Sequence, residues 1–372
     1  MYMIKSVLTN EILRQITAIE ENRFKVSNVE LPAIVKNKLR KNSKKKSSYA
    51  SNKIEGNPLT EKQVDDVIES DPHRHFLKPE QEVRNYFMAL SFLEKKQLKK
   101  AKVDVKMIMD VQAIVEKGAS KEKIGLRGPM PPGYLFAVYD SQSGNVDYIP
   151  PENTDIPKLL DELVNYIDTT DDHPLIIAAI VHYQLVTIHP FEDGNGRTAR
   201  LISGYILDYY GYGFQGIGSL EEYFAYDSDE YYESLQMGLP ALYYEGRENP
   251  PHPEIWIGYF LRMMELYSKK VYEISHTTKE NNVQVSISLL NAKEKELLYY
   301  LICNQLMEFT PIEIGKQLGV TNRTVINRTV NLVNHGFVTP VIVKERIRSY
   351  LLSDYTKENA SEICEIMGRR LH

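Results

Sequence analysis

The stretch from Pro174 to Ile188, PLIIAAIVHYQLVTI, confines the fold of this chain more than any other segment. It is unusually apolar and longer than an ordinary strand, so it reads as a helix of the core. A second helix starts near Gly196 and carries Leu201, Ile202, Tyr205, Ile206 and Leu207 at helical spacing. Between the two lies HPFEDGNGR, polar and glycine-rich, held at both ends by core elements. Such an anchored loop suits a site that needs fixed geometry.

The other 340 or so residues are expected to add domains around this core. At roughly 150 residues per domain, a chain of 372 residues makes two or three. Lys plus Arg is 45 against 50 Asp plus Glu, a net charge of -5. That balance excludes a nucleic-acid coat and leaves room for a local basic module. Cys303 and Cys364 lie far apart and form neither a metal spacing nor a disulfide framework. With no signal-peptide pattern at the N-terminus and no apolar run of about 20 residues, the expectation is a reduced, cytoplasmic protein without a membrane segment.

The first 30 residues have helical periodicity ending near Leu31-Pro32. Seven of the eleven residues from Lys36 to Lys46 are basic, which favours a solvated helix face or linker over a nucleic-acid contact. SSYASNKIEGN then reads as a short helix with Ser51 as N-cap, Glu55 on the next turn and a glycine stop at Gly56, before another helix entered at Thr60. Further helices are expected over Pro79 to Leu98, with Val83, Phe87, Leu90 and Leu93 as the buried line, over Val103 to Glu116, and over Ile156 to Thr169. Turn residues around two short aromatic strands, reversing at Ser143-Gly144-Asn145, predict a projecting hairpin. After an acidic aromatic stretch comes a long helix through WIGYFLRMMELYSKKVYEI, with a boundary at Thr278 to Ser286. Residues 287–353 read as helix, helix, recognition helix and wing strands, a winged helix-turn-helix presenting Asn322, Arg323, Asn327 and Arg328 to DNA or to a protein.

In the loop, Gly194, Asn195 and Gly196 can turn backbone N–H groups toward one concavity just before a helix N-terminus, an anion nest. Arg197 and Arg200 can face the same side of that helix, which would suit a polyphosphate. Asp193 offers a hard oxygen for Mg2+, and His189 an imidazole for proton abstraction near neutrality. The bland reading is a helix-capping histidine followed by a tight Asn/Gly turn. His182, within the apolar helix, reads as a satisfied core histidine, and the spacing of the two histidines is not that of a helix-borne zinc protease.

HPFEDGNGRTAR, His189 to Arg200, resembles the Fic-domain signature H-P-F-x-(D/E)-G-N-G-R-x-x-R at every fixed position, and helix, loop and helix, preceded by a hairpin, fit that context. SNKIEGN, Ser51 to Asn57, resembles the inhibitory motif (S/T)-x-x-x-E-(G/N) of the class in which an inhibitory helix precedes the core. The resemblance covers about residues 48–273. It implies a mostly α fold, with an N-terminal helical region over 1–110 and a Fic-type helical core with a β-hairpin flap over 111–280; the residues beyond add the winged helix over 287–353 and a helical tail over 354–372. It also implies protein adenylyltransferase activity, in which His189 deprotonates a target-protein hydroxyl that attacks the α-phosphate of ATP. Asp193 would hold Mg2+; Asn195 with the Gly194 and Gly196 amides would stabilise the transferring group; Arg197 would assist the phosphate tail, and Arg200 would hold the γ-phosphate. Phe191 would anchor the loop, and Tyr231 and Tyr232 would border the nucleoside. Ser51, Glu55 and Gly56 would form the inhibitory element, with Glu55 pairing Arg200. The target would lie along the flap near 137–149. Removal of AMP, transfer from another nucleotide, and DNA-binding regulation stay open as alternatives, as do self-modification and a homodimer.

Overall fold

In the computed structural model, the residues described are 4, 8–31, 33–119, 124–139, 144–288, 290–343 and 346–369. Two helices centre the first compact unit, α7 (Pro174–Ile188) and α8 (Asn195–Tyr209). Every residue of α7 except Pro174 and Val186 is buried, as its composition requires. Pro174 at its first position wants no amide partner, and the His173 ring accepts the Leu175 N–H at 3.3 Å. α6 (Ile156–Thr169) lays Ile156, Leu160, Leu163 and Ile167 against α7 at helical spacing. α5 (Val105–Glu116), started by Asp104 capping Met107, and α4 (Lys78–Leu98) pack on α8. In α11 (Glu254–Ser288), Trp256 donates its indole N–H to the Ala179 carbonyl at 2.7 Å.

The N-terminal part begins with α1 (Asn10–Ser27) and differs from expectation in α2. The basic run and the SNKI segment form one helix of 22 residues, α2 (Ala33–Ile54), because no Gly or Pro interrupts them and Lys and Arg are good helix formers. Ser51 is therefore an interior residue and caps nothing. Four of the seven basic side chains meet carboxylates: Lys41 and Lys45 on Glu69, Lys44 on Glu94, Lys46 on Glu222, at 2.8 to 3.2 Å. α3 (Glu61–Glu69) enters at Thr60 through a reciprocal capping box with Gln63, as expected. In α4 the buried line is Val83, Tyr86, Ala89 and Leu93; Phe87 and Leu90 are half-buried. The face is turned because Asn85 donates to the carbonyls of Val115 and Lys117, both at 2.8 Å, and Tyr86 to Glu221 at 3.0 Å.

β1 (Val138–Tyr139) and β2 (Val146–Tyr148) pair antiparallel, Val138 opposite Tyr148 and Tyr139 opposite Val146. Of the expected reversal, Ser143 lies outside the described residues, as do 140–142, while Gly144 has φ +70°. The acidic aromatic stretch folds as α9 (Glu221–Tyr226) and α10 (Ser228–Gln236).

The chain divides into a unit of residues 1–24 with 40–271 and a unit of 25–39 with 272–372, so residues 278–286 fall inside helix α11. The second unit runs α12 (Ala292–Cys303), β3 (Glu308–Phe309), α13 (Pro311–Leu318), α14 (Asn322–Asn334), β4 (Val338–Val343), β5 (Arg346–Leu352), α15 (Asp354–Glu358) and α16 (Ala360–Ile366). Its sheet has the order β3-β5-β4, all antiparallel, over a core that includes Leu298, Leu301, Val325, Leu332 and Phe337. Both cysteines are free. Among the described residues no helix is long and apolar enough to cross a membrane.

Candidate functional site

α7 ends on His189, whose left-handed backbone (φ +49°) turns the chain sharply out of the helix. Phe191, fully buried, pins the next residues. The Asn195 carboxamide then closes the loop on Phe191 twice: its Oδ1 accepts the Phe191 N–H at 3.0 Å and its Nδ2 donates to the Phe191 carbonyl at 2.9 Å. The side-chain donor that the sequence resemblance gives to the transferring group is thus engaged in shaping the loop. Arg127 clamps the outside, donating its backbone N–H to the Pro190 carbonyl at 2.9 Å and its Nε to the His189 carbonyl at 2.8 Å. α5 supports the inside, where Gln112 donates to the Asp193 carbonyl at 3.2 Å.

Gly194 turns the chain into α8 at φ +81°, and a Cβ there would lie 2.7 Å from Oε1 of the buried Glu116. Both facts require glycine. Gly194→Ala is expected to destabilise the protein by about 1–3 kcal/mol from backbone strain alone, more where Glu116 cannot yield; thermal or urea unfolding of the two proteins measures it.

His189 is half-buried, 3.3 Å from the Val186 carbonyl through Nδ1. A carbonyl can only accept, so Nδ1 carries the proton and Nε2 keeps its lone pair. Burial pushes the imidazole pKa down to about 4; the Val186 carbonyl, Glu55 and Asp193 pull it upward, and Arg127 adds to the depression. His189 is therefore a neutral acceptor at physiological pH. Because its folded pKa lies below its ordinary 6.5, folding is weakened as pH falls from about 6.5 to about 4 and is unaffected by this group above that window. His182 is the satisfied core histidine its context predicts: Nε2 is 2.8 Å from the Tyr231 hydroxyl and Nδ1 3.2 Å from Ser203 Oγ.

Arg200, 1% exposed, is gripped by α2. Its Nη2 meets Glu55 Oε1 at 2.6 Å and the Ser51 carbonyl at 3.0 Å, while Nε donates to Ser51 Oγ at 2.8 Å. Burial works against its charge, but Glu55 together with Tyr231, Tyr86 and Tyr232 outweighs this, and the guanidinium stays protonated. Tyr231, with its hydroxyl 3.4 Å from Arg200 Nη1, is buried; Tyr232 is partly exposed and reaches the Ile54 carbonyl at 3.4 Å. Gly56, directly after Glu55, has φ +79°. The Glu55 carboxylate also stands over Gly196, where an added Cβ would collide with it. An anionic group thus already sits above the first turn of α8, whose N–H groups have no earlier turn to bond.

Arg197 and Arg200 do not act as a pair. Arg197 turns to α5, with Nη2 2.9 Å from Glu116 Oε1 and 3.2 Å from Asp193 Oδ1, and its side chain is 4% exposed. Its Nε and Nη1 are buried without a hydrogen-bond partner among the described residues. Asp193 Oδ1 also accepts the Gly194 N–H at 2.8 Å, and its side chain is one-third exposed at 33%. Among the described residues no three His, Cys, Asp or Glu converge to hold a metal by themselves. Sequence reasoning missed Glu116, Gln112 and Arg127; the visible signal was a Gln and a Glu one turn apart on the otherwise apolar face of VKMIMDVQAIVE.

Residues 102–207 match the family model described as Fic/DOC family. The chain is 29% identical over 195 residues to a protein adenylyltransferase Fic of Nematostella vectensis, covering 51% of this chain and 43% of that protein. It is 26% identical over 211 residues to one of Drosophila grimshawi, covering 54% and 40%. It spans less than half the length of these curated relatives. Among solved structures, a Fic family protein from Desulfovibrio desulfuricans G20 superposes with a TM-score of 0.60 at 18% identity, over 95% of this chain and 99% of that one. Fic-1 from C. elegans gives 0.57 at 21%, over 72% and 73%. These two likenesses are of fold.

Proposed function

We propose, for a chain that carries a Fic/DOC-family domain at residues 102–207, that it is a protein adenylyltransferase held in an inhibited state by Glu55. The observation that carries this reading is the placing of a neutral imidazole, His189, beside a glycine-turned helix N-terminus whose anion position is taken by the Glu55 carboxylate on buried Arg200. In the reaction, His189 Nε2 takes the proton of a target hydroxyl. The hydroxyl oxygen bonds to the α-phosphorus of ATP, the bond to the β-phosphate oxygen breaks, and pyrophosphate leaves. The N–H groups at the start of α8 and the guanidinium of Arg200 face the charge of the phosphate chain once Glu55 withdraws.

The residues present fit both expected ligands. A carboxylate standing over Gly196 marks an anion position, with the Arg200 guanidinium beside it. A partly exposed Asp193 carboxylate suits Mg2+, which retains waters and phosphate oxygens and needs few protein ligands. Bound there, Mg2+ would neutralise charge on the phosphates. The exposed Tyr139 and Val146 of the hairpin offer an edge to an extended target segment, and the partly exposed Tyr232 would border the nucleoside.

Mass analysis after incubation with Mg-ATP and a protein pool tests the reading: addition of AMP to a protein supports it, and none in the Glu55→Gly protein despite ATP binding removes it. A partly exposed Glu55, at 32%, could instead order a water, which makes AMP removal the second reading; loss of AMP from a modified protein distinguishes it. The pH dependence gives a separate check. In Glu55→Gly, kcat/KM is expected to hold level from about pH 8 down to about pH 5 and to fall only toward the His189 pKa of about 4; deleting Glu55 removes an upward pull on that pKa and cannot restore 6.5.

The element order helix, strand, helix, helix, hairpin over 292–352 supports a winged helix-turn-helix in the second unit, with exposed Asn322, Arg323 and Asn327 on α14 open to a duplex or a protein.

A further inference from the structure

Behind the loop, the buried side chains of Ser203, His182 and Tyr231 form a ring of hydrogen bonds that begins and ends on buried Arg200. Ser203, one turn on in α8, donates its hydroxyl to the Arg200 carbonyl at 3.1 Å. Its Oγ is 3.2 Å from Nδ1 of His182 on α7, whose Nε2 is 2.8 Å from the Tyr231 hydroxyl on α10, and that hydroxyl is 3.4 Å from Arg200 Nη1. The direction of each bond follows from what its members can do. A guanidinium donates and never accepts, so the Tyr231 oxygen accepts from Arg200 and its proton goes to His182 Nε2. The imidazole then carries its own proton on Nδ1, where Ser203 Oγ accepts it, since the Ser203 proton is already given to the Arg200 carbonyl. This pattern needs a neutral histidine, and burial together with the Arg200 charge holds the His182 pKa well below its ordinary value. The Trp256 and Phe224 rings brace the imidazole, 5.0 and 5.7 Å between centroids. The link from Tyr231 to Arg200 is long for a hydrogen bond, but the hydroxyl dipole it aligns presents its negative end to a buried cation.

On its other side Arg200 is held by Ser51, through Oγ and the carbonyl, and by Glu55. Both stand on α2 or directly after its last residue, in the segment that must withdraw before a phosphate can reach the guanidinium. Tyr231 stands on a different element, and the ring behind it does not pass through α2. We propose that His182 and Tyr231 are positioning residues whose ring keeps the Arg200 guanidinium in place for the terminal phosphate of ATP when the α2 contacts are lost. The inference rests on the nucleotide reading of the loop. Without the Nε2 acceptor, the Tyr231 hydroxyl loses the partner that turns its proton away from the cation, so the histidine acts on the guanidinium through the tyrosine.

The test is a calorimetric titration of Mg-ATP and of Mg-ADP into the full chain carrying Glu55→Gly and His189→Ala, which binds without turnover, and into the same chain with Arg200→Ala, Tyr231→Phe, His182→Leu, or the last two together. Arg200→Ala comes first: unless it weakens ATP more than ADP, Arg200 does not serve the terminal phosphate, and the nucleotide reading of that residue falls before the ring is reached, taking the proposal with it. With that difference in hand, Tyr231→Phe and His182→Leu should each weaken ATP about ten-fold and leave ADP as in the parent. The double variant should bind ATP no worse than either single one, because the two residues act in series. Equal weakening of ATP and ADP would mean that they border the nucleoside or support the fold, unchanged ATP affinity that Arg200 needs no ring, and additive losses that His182 acts apart from Tyr231; each of these overturns the proposal. Tyr231→Phe removes the hydroxyl and keeps the aromatic side chain, so it decides the matter alone where His182→Leu does not fold.

Discussion

His189→Ala is expected to lower AMP transfer by about 10²–10⁴-fold, the range a positioned general base contributes, when measured in a Glu55→Gly background where transfer is unmasked. The imidazole is prepared for one task. Its Nδ1 is committed to Val186, its backbone carbonyl is held by Arg127, and its ring lies 5.9 Å from that of Phe136, so Nε2 is left as the proton acceptor. Its low pKa of about 4 keeps that acceptor unprotonated at neutral pH. Alanine at φ +49° also strains the backbone, so His189→Asn, a residue that tolerates the left-handed region but cannot take the proton, separates loss of base from loss of loop geometry. ATP affinity should be retained in both. Transfer that survives in both would place the base elsewhere and leave His189 as the helix cap of the bland reading.

The loop was legible because its chemistry is contiguous in sequence. His189, Asp193, Gly194 and Gly196 stand within eight residues, and the apolar flanks that fix them announce themselves by composition. The pairing of Glu55 with Arg200 joins residues far apart in the chain, and no periodicity could have proposed it; only the resemblance of SNKIEGN did. Where the residues were read without that help, local rules misled: Ser51 looked like a cap because serine before a glutamate is a capping pattern, yet its hydroxyl serves Arg200 from the interior of α2. The face of α4 was read from hydrophobicity alone, and the polar Asn85 and the Tyr86 hydroxyl, which carry its tertiary hydrogen bonds, turned it. Glu116 showed only as a charge on an otherwise apolar face, and Arg127 gave no signal at all, since a buried charge is recognised by its partner.

Glu55→Gly is expected to raise AMP transfer by roughly a hundred-fold, about 2.7 kcal/mol at 1.36 kcal/mol per decade. The basis is competition for one buried cation. Breaking a buried ion pair by removing one partner costs about 3–5 kcal/mol, and in the wild-type chain an incoming phosphate would have to displace Glu55 against that term. With glycine the cost is already present in the unliganded protein, so the phosphate gains Arg200 without opposition. Glu55 follows Ile54, the last residue of α2, and precedes Gly56 in the left-handed region, so glycine there ends a helix rather than interrupting one. A second consequence separates this account from a general loosening of α2. Glu55→Gly should melt at a lower temperature than wild type without nucleotide, because Arg200 is left buried and unpaired, and should gain more from saturating ATP than wild type does. A variant that transfers faster but melts unchanged, with no larger ATP shift, would mean that Glu55 restrains the enzyme by some route other than its hold on Arg200.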